Sequence, residues 1–134
     1  MLDHFFSEKA RILQSGDLQA AVALLKYPAA IYVQSELIVL KDEAKAFDVL
    51  KSYRAHLLEH GYARTSFQQT DSTCDPDGQS RHWISWTHWS KDGRVIKHVD
   101  TCHYCKTVDG QTKTTMVEVL AMQGDVVEAW ASVS

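Results

Sequence analysis

The 134-residue chain lacks most of the signals that tie a sequence to a chemistry. No apolar run approaches the roughly 20 residues needed to cross a bilayer, so a membrane is not an expected partner. Met1-Leu2-Asp3-His4 lacks the positive region and unbroken apolar core of a signal peptide. Basic residues are scattered (Lys9, Arg11, Lys26, Lys41, Lys45, Lys51, Arg54) and the formal net charge is -3. A phosphate backbone calls for a clustered basic stripe, so nucleic acid is not an expected partner either. Three cysteines, Cys74, Cys102 and Cys105, cannot all pair within the chain, which suits a reducing compartment and makes the cytoplasm the expected location. There is no Gly-rich phosphate loop, nucleophile elbow or zinc-protease helix motif. Nucleotide hydrolysis and serine or metallo-hydrolase chemistry are therefore disfavoured, and no cofactor is expected. Internal repeats, low-complexity tracts and interdomain linkers are missing too, so residues 1–134 read as one domain.

What is present is a change of period. Leu2 to Ser15 reads as a helix with Phe5, Phe6, Ile12 and Leu13 on its apolar side and Glu8, Lys9 and Arg11 in water. Gly16 supplies a left-handed cap, and Asp17 opens a second helix through Lys26 that Pro28 ends. Ile31–Val33 and Leu37–Leu40 are β-branched runs joined by Gln34-Ser35-Glu36, a hairpin. Asp42 caps a long helix to His60, with Ala46, Phe47, Leu50, Tyr53, Leu57 and Leu58 as its buried stripe and Gly61 closing it. From Ala63 the period falls from 3.6 to 2, giving four strands: Ala63–Thr73, Gln79–Lys91, Arg94–Thr107 and Gln111–Met122. Asp92-Gly93 and Asp109-Gly110 sit between alternating runs as two-residue turns, and Asp75-Pro76-Asp77-Gly78 marks a looser one. The tail after Gly124 reads as a short terminal extension.

This order of elements resembles the nuclear transport factor 2-like superfamily, especially its small SnoaL-like bacterial members. The resemblance covers roughly residues 2–122. It rests on the element order and on Tyr27-Pro28-Ala29-Ala30-Ile31-Tyr32-Val33, Leu40-Lys41-Asp42 and Arg81-His82-Trp83-Ile84-Ser85-Trp86. It implies an α+β cone, three N-terminal helices packed on a strongly curved antiparallel sheet. The superfamily holds ketosteroid isomerase, scytalone dehydratase and polyketide cyclases beside pocket-bearing members and non-catalytic dimerising domains. No residue-by-residue match exists to the tyrosine and two aspartates of the isomerase, so the resemblance implies a pocket and carries over no catalytic residue.

The turns fix a register, because a slip of one residue sends every side chain to the other face. Closing the hairpins at Lys91/Arg94 and Val108/Gln111 gives three rows on one face: Trp86-Val99-Leu120, Ile84-Thr101-Glu118 and His82-His103-Met116. A carboxylate and two imidazoles beside an apolar wall suit general acid–base work, since burial raises a carboxylic acid's pKa and lowers an imidazole's. Glu118, His103 and His82 are therefore the expected catalytic candidates. Trp86, Thr101, Met116, Leu120 and, from the first hairpin, Tyr32 are the expected ligand-binding ones. The expected ligand is an apolar or aromatic small molecule, and the reaction a cofactor-free isomerisation, dehydration or cyclisation. The competing reading makes Glu118 a satisfied core group and puts the histidines at the open rim.

The opposite face carries Trp83, Trp89, Ile96, Cys102, Tyr104, Val117 and Val119, apolar enough to suggest a homodimer formed through the sheet. On that reading the protein is a non-catalytic binding module. Periodicity does not separate the faces, so Asp100 beside Ser85, with His98 diagonal to them, stays open as an alternative polar set. Cys102-His103-Tyr104-Cys105 does not read as a metal or redox motif. Strand positions three apart point to opposite faces, and the redox version sits at a helix N-terminus. His82, His103 and Cys105 share a face without any pairwise motif, and no metal is expected.

Overall fold

A computed structural model describes residues 3–124 of the chain. Short polar signals decide where its helices start and stop. Asp17 accepts a hydrogen bond from the Ala20 N–H at 3.3 Å and opens α2 (Leu18–Val22). Asp42 accepts from the Lys45 N–H at 3.0 Å and opens α3 (Glu43–Glu59). Gly16 follows α1 (Asp3–Ser15), and both it and Gly61 take φ near 81°, a left-handed conformation that favours glycine. The Arg54 guanidinium on α3 donates to the carbonyls of Leu13 (2.8 Å) and Gln14 (2.9 Å), which ties α3 to the end of α1.

α2 is shorter than its apolar spacing predicts. It ends at Val22, whose carbonyl accepts from the Tyr27 hydroxyl at 2.7 Å, and β1 (Leu25–Val33) begins three residues later. Strand pairing overrides helical spacing here: Leu25 already pairs with Thr114. Pro28 lies inside β1, after a cis Tyr27–Pro28 peptide, and the pairing register shifts between Leu25 and Ala30, around a residue that has no N–H to give. Gln34 and Ser35, at φ 51° and 66°, turn β1 tightly into β2 (Glu36–Leu40).

The remaining strands are β3 (Tyr62–Cys74), β4 (Gln79–Ser90), β5 (Val95–Val108) and β6 (Gln111–Gly124). The fold is α+β, with three helices on a curved, unclosed six-stranded sheet ordered β2-β1-β6-β5-β4-β3. The sheet is antiparallel except at its second seam, where β1 runs parallel to β6. The main core lies between α3 and β1–β2, built from Ile31, Val33, Ile38, Leu40, Val49, Tyr53 and Leu57. Phe6, Ile84 and Cys105 form a second cluster under α1. On α3 the buried stripe is Ala46, Val49, Tyr53 and Leu57, while Leu58 is 48% exposed against expectation.

The two Asp-Gly hairpins differ. Val108 pairs with Gln111, and Asp109 (φ 54°) and Gly110 (φ 77°) make the expected two-residue turn. At the other hairpin the loop is one residue longer: Ser90 N–H donates to the Arg94 carbonyl, and Trp89 pairs with Val95. A bulge between His88 and Trp89 reverses that shift. Trp86–Val99, Ile84–Thr101 and His82–His103 therefore pair as the turn spacing predicts. Between β5 and β6 the shifts add up. One occurs between Tyr104 and Cys105, another between Asp100 and Thr101, so Thr101 faces Val119, Cys102 faces Glu118, His103 faces Val117 and Val99 faces Met122.

Candidate functional site

A cavity of about 180 Å³ lies between the helices and the inner face of the sheet. Its wall is mostly aliphatic, with Ile12, Leu13, Leu24, Leu50 and Val119 among its side chains. Lys9, Tyr53, Trp86, His88, Thr101 and His103 also line it. Alternation along β4 and β5 places Trp86, Thr101 and His103 on this one face, and the β4–β5 pairing brings them together.

The Trp86 indole N–H donates to both Thr101 Oγ1 (3.1 Å) and His103 Nε2 (3.2 Å). The Thr101 hydroxyl in turn donates to the Ile84 carbonyl at 2.9 Å. An indole nitrogen only donates, so His103 Nε2 must accept, and the neutral ring carries its proton on Nδ1. That Nδ1 is buried without a hydrogen-bond partner. Burial, with Lys9 and His82 nearby, holds the His103 pKa well below the usual imidazole value. His82 is its cross-strand neighbour and, like His103, meets the Phe6 ring at a steep angle, with centroids 5.3 and 5.2 Å from that ring. His82 Nε2 meets Ser80 Oγ at 2.8 Å, its Nδ1 is also unpartnered, and it does not line the cavity.

Lys9 does not stay in water. Three residues after Phe6 and three before Ile12, it shares their side of α1. Its Nζ donates to Thr114 Oγ1 at 2.8 Å and lies 5.2 and 5.8 Å from the Phe5 and Phe6 ring centroids. Burial pulls its pKa down to about 8. The long aliphatic stem of lysine explains how a charged letter fits an apolar stripe. Spacing alone was the signal that could have found it.

A second polar node sits under α3. Tyr53 Oη lies 2.9 Å from His88 Nε2, and Thr65 Oγ1 lies 2.8 Å from His88 Nδ1. Tyr62 reaches the same Thr65 hydroxyl, and Gln14 accepts from the Thr65 N–H at 2.8 Å. Both ring nitrogens of His88 are occupied, and burial with Lys97 nearby pushes its pKa down to about 3. Lys97 is fully buried, with Nζ 4.6 Å from the Tyr53 ring centroid.

The bulges remove part of the expected cluster. Glu118 is on the outer face opposite Cys102, where it accepts from the Tyr104 hydroxyl at 3.1 Å. Met116 pairs with Tyr104 on that outer face, Leu120 is the extra bulge residue and 51% exposed, and Tyr32 pairs with Glu118 and is 39% exposed. None of these four lines the cavity. Val117 and Val119, expected outside, line it instead, and Ile96 joins the core.

The alternative polar set also lies on the outer face. Ser85 Oγ donates to Asp100 Oδ1 at 2.7 Å, His98 Nε2 sits 3.1 Å from the same oxygen, and Thr87 Oγ1 is 3.0 Å from His98 Nδ1. Activating a serine requires its hydroxyl to reach the imidazole; here the carboxylate takes it. Cys102 and Cys105 are buried thiols with raised pKa, so neither is disposed to act as thiolate. Among the described residues no three of His, Cys, Asp and Glu come together as a metal-holding group. No helix among them is long and apolar enough to cross a membrane.

No protein-family model matches the sequence, and no curated protein does. Solved structures do match in shape. Aln2 from a Streptomyces species superposes with a TM-score of 0.68 at 13% identity, over 88% of this chain and 86% of that one. A candidate scytalone dehydratase from Novosphingobium aromaticivorans gives 0.66 at 13% identity, over 94% and 86%. The designed protein Rd1NTF2_04 with long sheet gives 0.60 at 14% identity, over 87% and 97%. At such identities the likeness concerns the fold, which is the nuclear transport factor 2-like fold that the element order suggests.

Proposed function

We propose, on the premise of this fold and of the cavity inside it, that the protein binds a small, mainly apolar or aromatic molecule about one ring in size. Pockets for drug-sized ligands usually enclose roughly 300–1,000 Å³, whereas an apolar cavity of about 150 Å³ can take up benzene. The cavity here, at about 180 Å³, belongs with the second kind. The observation that carries the reading is the buried His103 Nδ1–H without a partner. Leaving a buried donor unsatisfied costs about 1–3 kcal/mol, which a ligand acceptor would recover. The ligand is therefore apolar over most of its surface with one carbonyl-like oxygen for His103. Because the ring stays neutral, His103 acts as a donor that polarises that oxygen. This is the part such a residue takes in cofactor-free isomerisation, dehydration or cyclisation.

Titration of the protein with benzaldehyde and with toluene, followed by ligand-observed NMR, tests this. Tighter binding of benzaldehyde, with the advantage lost in His103→Phe, is the expected result. Equal affinities in wild type and variant would remove His103 from the site.

One observation favours a further property, a homodimer formed through the outer face. Leu37 and Val39 on β2 are 56% and 51% exposed beside Tyr32. Sedimentation velocity at rising concentration tests it, and Leu37→Lys with Val39→Lys is expected to yield monomers. Unchanged sedimentation of that double variant would exclude this patch as the contact. Such a protein, without a membrane or nucleic-acid partner, fits the cytoplasm.

A further inference from the structure

We infer that Lys9 is a carbonyl-capturing amine: its Nζ condenses with the aldehyde or ketone group of a small apolar ligand held in the cavity. The inference rests on the cavity reading above and adds a covalent step to it. α1 sets the Lys9 side chain among Phe5, Phe6 and Ile12, and the residue lines the cavity together with His103. Its hydrogen-bond partner is a neutral hydroxyl, Thr114 Oγ1. The ion pairs among the described residues are Arg11–Glu8, Arg94–Asp92 and His98–Asp100, none of which involves Lys9. An ammonium in an apolar wall without a carboxylate gives up its proton readily. The titratable groups around it are Cys105 and His103 on β5, and the Cys105 sulfur favours its charge less than burial disfavours it. With the pKa near 8, about a quarter of the amine is neutral at pH 7.5, against about one in a thousand for an ordinary lysine. Desolvation of this kind is how lysines become nucleophiles toward carbonyls.

The step balances without any further reagent. The Nζ lone pair forms an N–C bond to the carbonyl carbon while the C=O π pair moves to oxygen, helped by the His103 Nδ1–H. One N–H proton transfers to that oxygen and gives a carbinolamine. The C–O bond then breaks, the hydroxyl leaves with the second N–H proton as water, and a C=N imine remains.

Lys97 provides an internal control. Its pKa is also drawn down to about 8, yet it is packed over Tyr53 and does not line the cavity. Acidity alone would mark both lysines; access to the cavity marks Lys9 only.

The experiment treats the full chain with benzaldehyde and cyanoborohydride, which reduces any imine to a stable benzylamine, and maps the product by peptide mass spectrometry. The expected result is a benzyl group on Lys9, formed on the order of tenfold faster than on Lys97 or any surface lysine, and abolished in Lys9→Arg and Lys9→Met. Circular dichroism of both variants establishes that they fold. Labelling spread evenly over the lysines, or matched at Lys97, overturns the inference. Benzyl alcohol, which has nearly the same shape but no carbonyl, separates the two readings by ligand-observed NMR. If it and benzaldehyde bind but Lys9 acquires no benzyl group, the covalent step is wrong and the cavity reading stands. If neither binds, both are wrong.

Discussion

Two buried histidines on the inner face of the sheet do different things with nearly the same surroundings. His88 and His103 are 3% and 5% exposed, each lines the cavity, and each is kept neutral by burial. Under α3, His88 has both nitrogens occupied, by Tyr53 and Thr65. Under α1, His103 is held at Nε2 by Trp86 and has nothing at Nδ1. A polar group with every bond made holds a fold together; one with a bond left over is available to something else. The difference teaches that hydrogen-bond completeness together with access to the cavity, which His82 lacks, separates a structural imidazole from a functional one, where burial and pKa do not.

The largest expected effect tests what the two share. Unfolded histidines bind protons below about pH 6.5, while His88 and His103 in the folded protein do not. Their contribution to stability is thus complete above that pH and is lost as the pH falls. Two such groups remove about 3 kcal/mol between pH 6.5 and pH 5. Urea unfolding across this range measures it, and a flat profile would mean that the imidazoles titrate in the folded state.

The next effect separates the two. His88→Leu removes two buried hydrogen bonds, one to Tyr53 and one to Thr65, and is expected to cost about 2–4 kcal/mol by urea unfolding. Affinity for benzaldehyde should change by less than about threefold, far below the destabilisation. A large loss of binding would make His88 a ligand contact. Trp86→Phe, smaller still, removes one indole donor and is expected to cost about 1 kcal/mol. Its sharper readout is nitrogen NMR: His103 is expected to change from the Nδ1–H tautomer to a mixture. The smallest effect is that of Glu118→Gln, on the outer face. It should shift stability by no more than about 0.5 kcal/mol and leave benzaldehyde binding unchanged. Lost binding in that variant would return Glu118 to the site.

The sequence carries the fold more fully than the site. Asp17, Asp42, Gly16 and Gly61 mark helix ends through their own local chemistry, so each is legible in isolation. The β4–β5 rows were also legible, because an extra loop residue and the bulge beside His88 offset each other. On β6 the extra residues carry no local mark. Thr115 and Leu120 are ordinary strand formers, and the bulges they occupy arise where β6 must follow a curved β5 while also pairing with β1. That tertiary demand sends Glu118, Met116 and Leu120 away from the cavity and brings in Val117 and Val119. Lys9 was missed for another reason. Its charge suggested water, although its spacing from Phe6 and Ile12 puts it on their side of α1, beside Thr114 and two phenylalanine rings.

The parallel β1–β6 seam has a consequence for the order of assembly. β1 leaves the ribosome in the first third of the chain, and its central neighbour is the last strand described. Until β6 emerges, the β1–β2 hairpin has no sheet to join, and the cavity lacks the wall supplied by Val117 and Val119. Contacts this distant along a chain are slow to form. A ligand that fits the cavity would therefore meet a finished site only after the final hairpin has closed, and by binding there would favour the completed sheet over every partly assembled form.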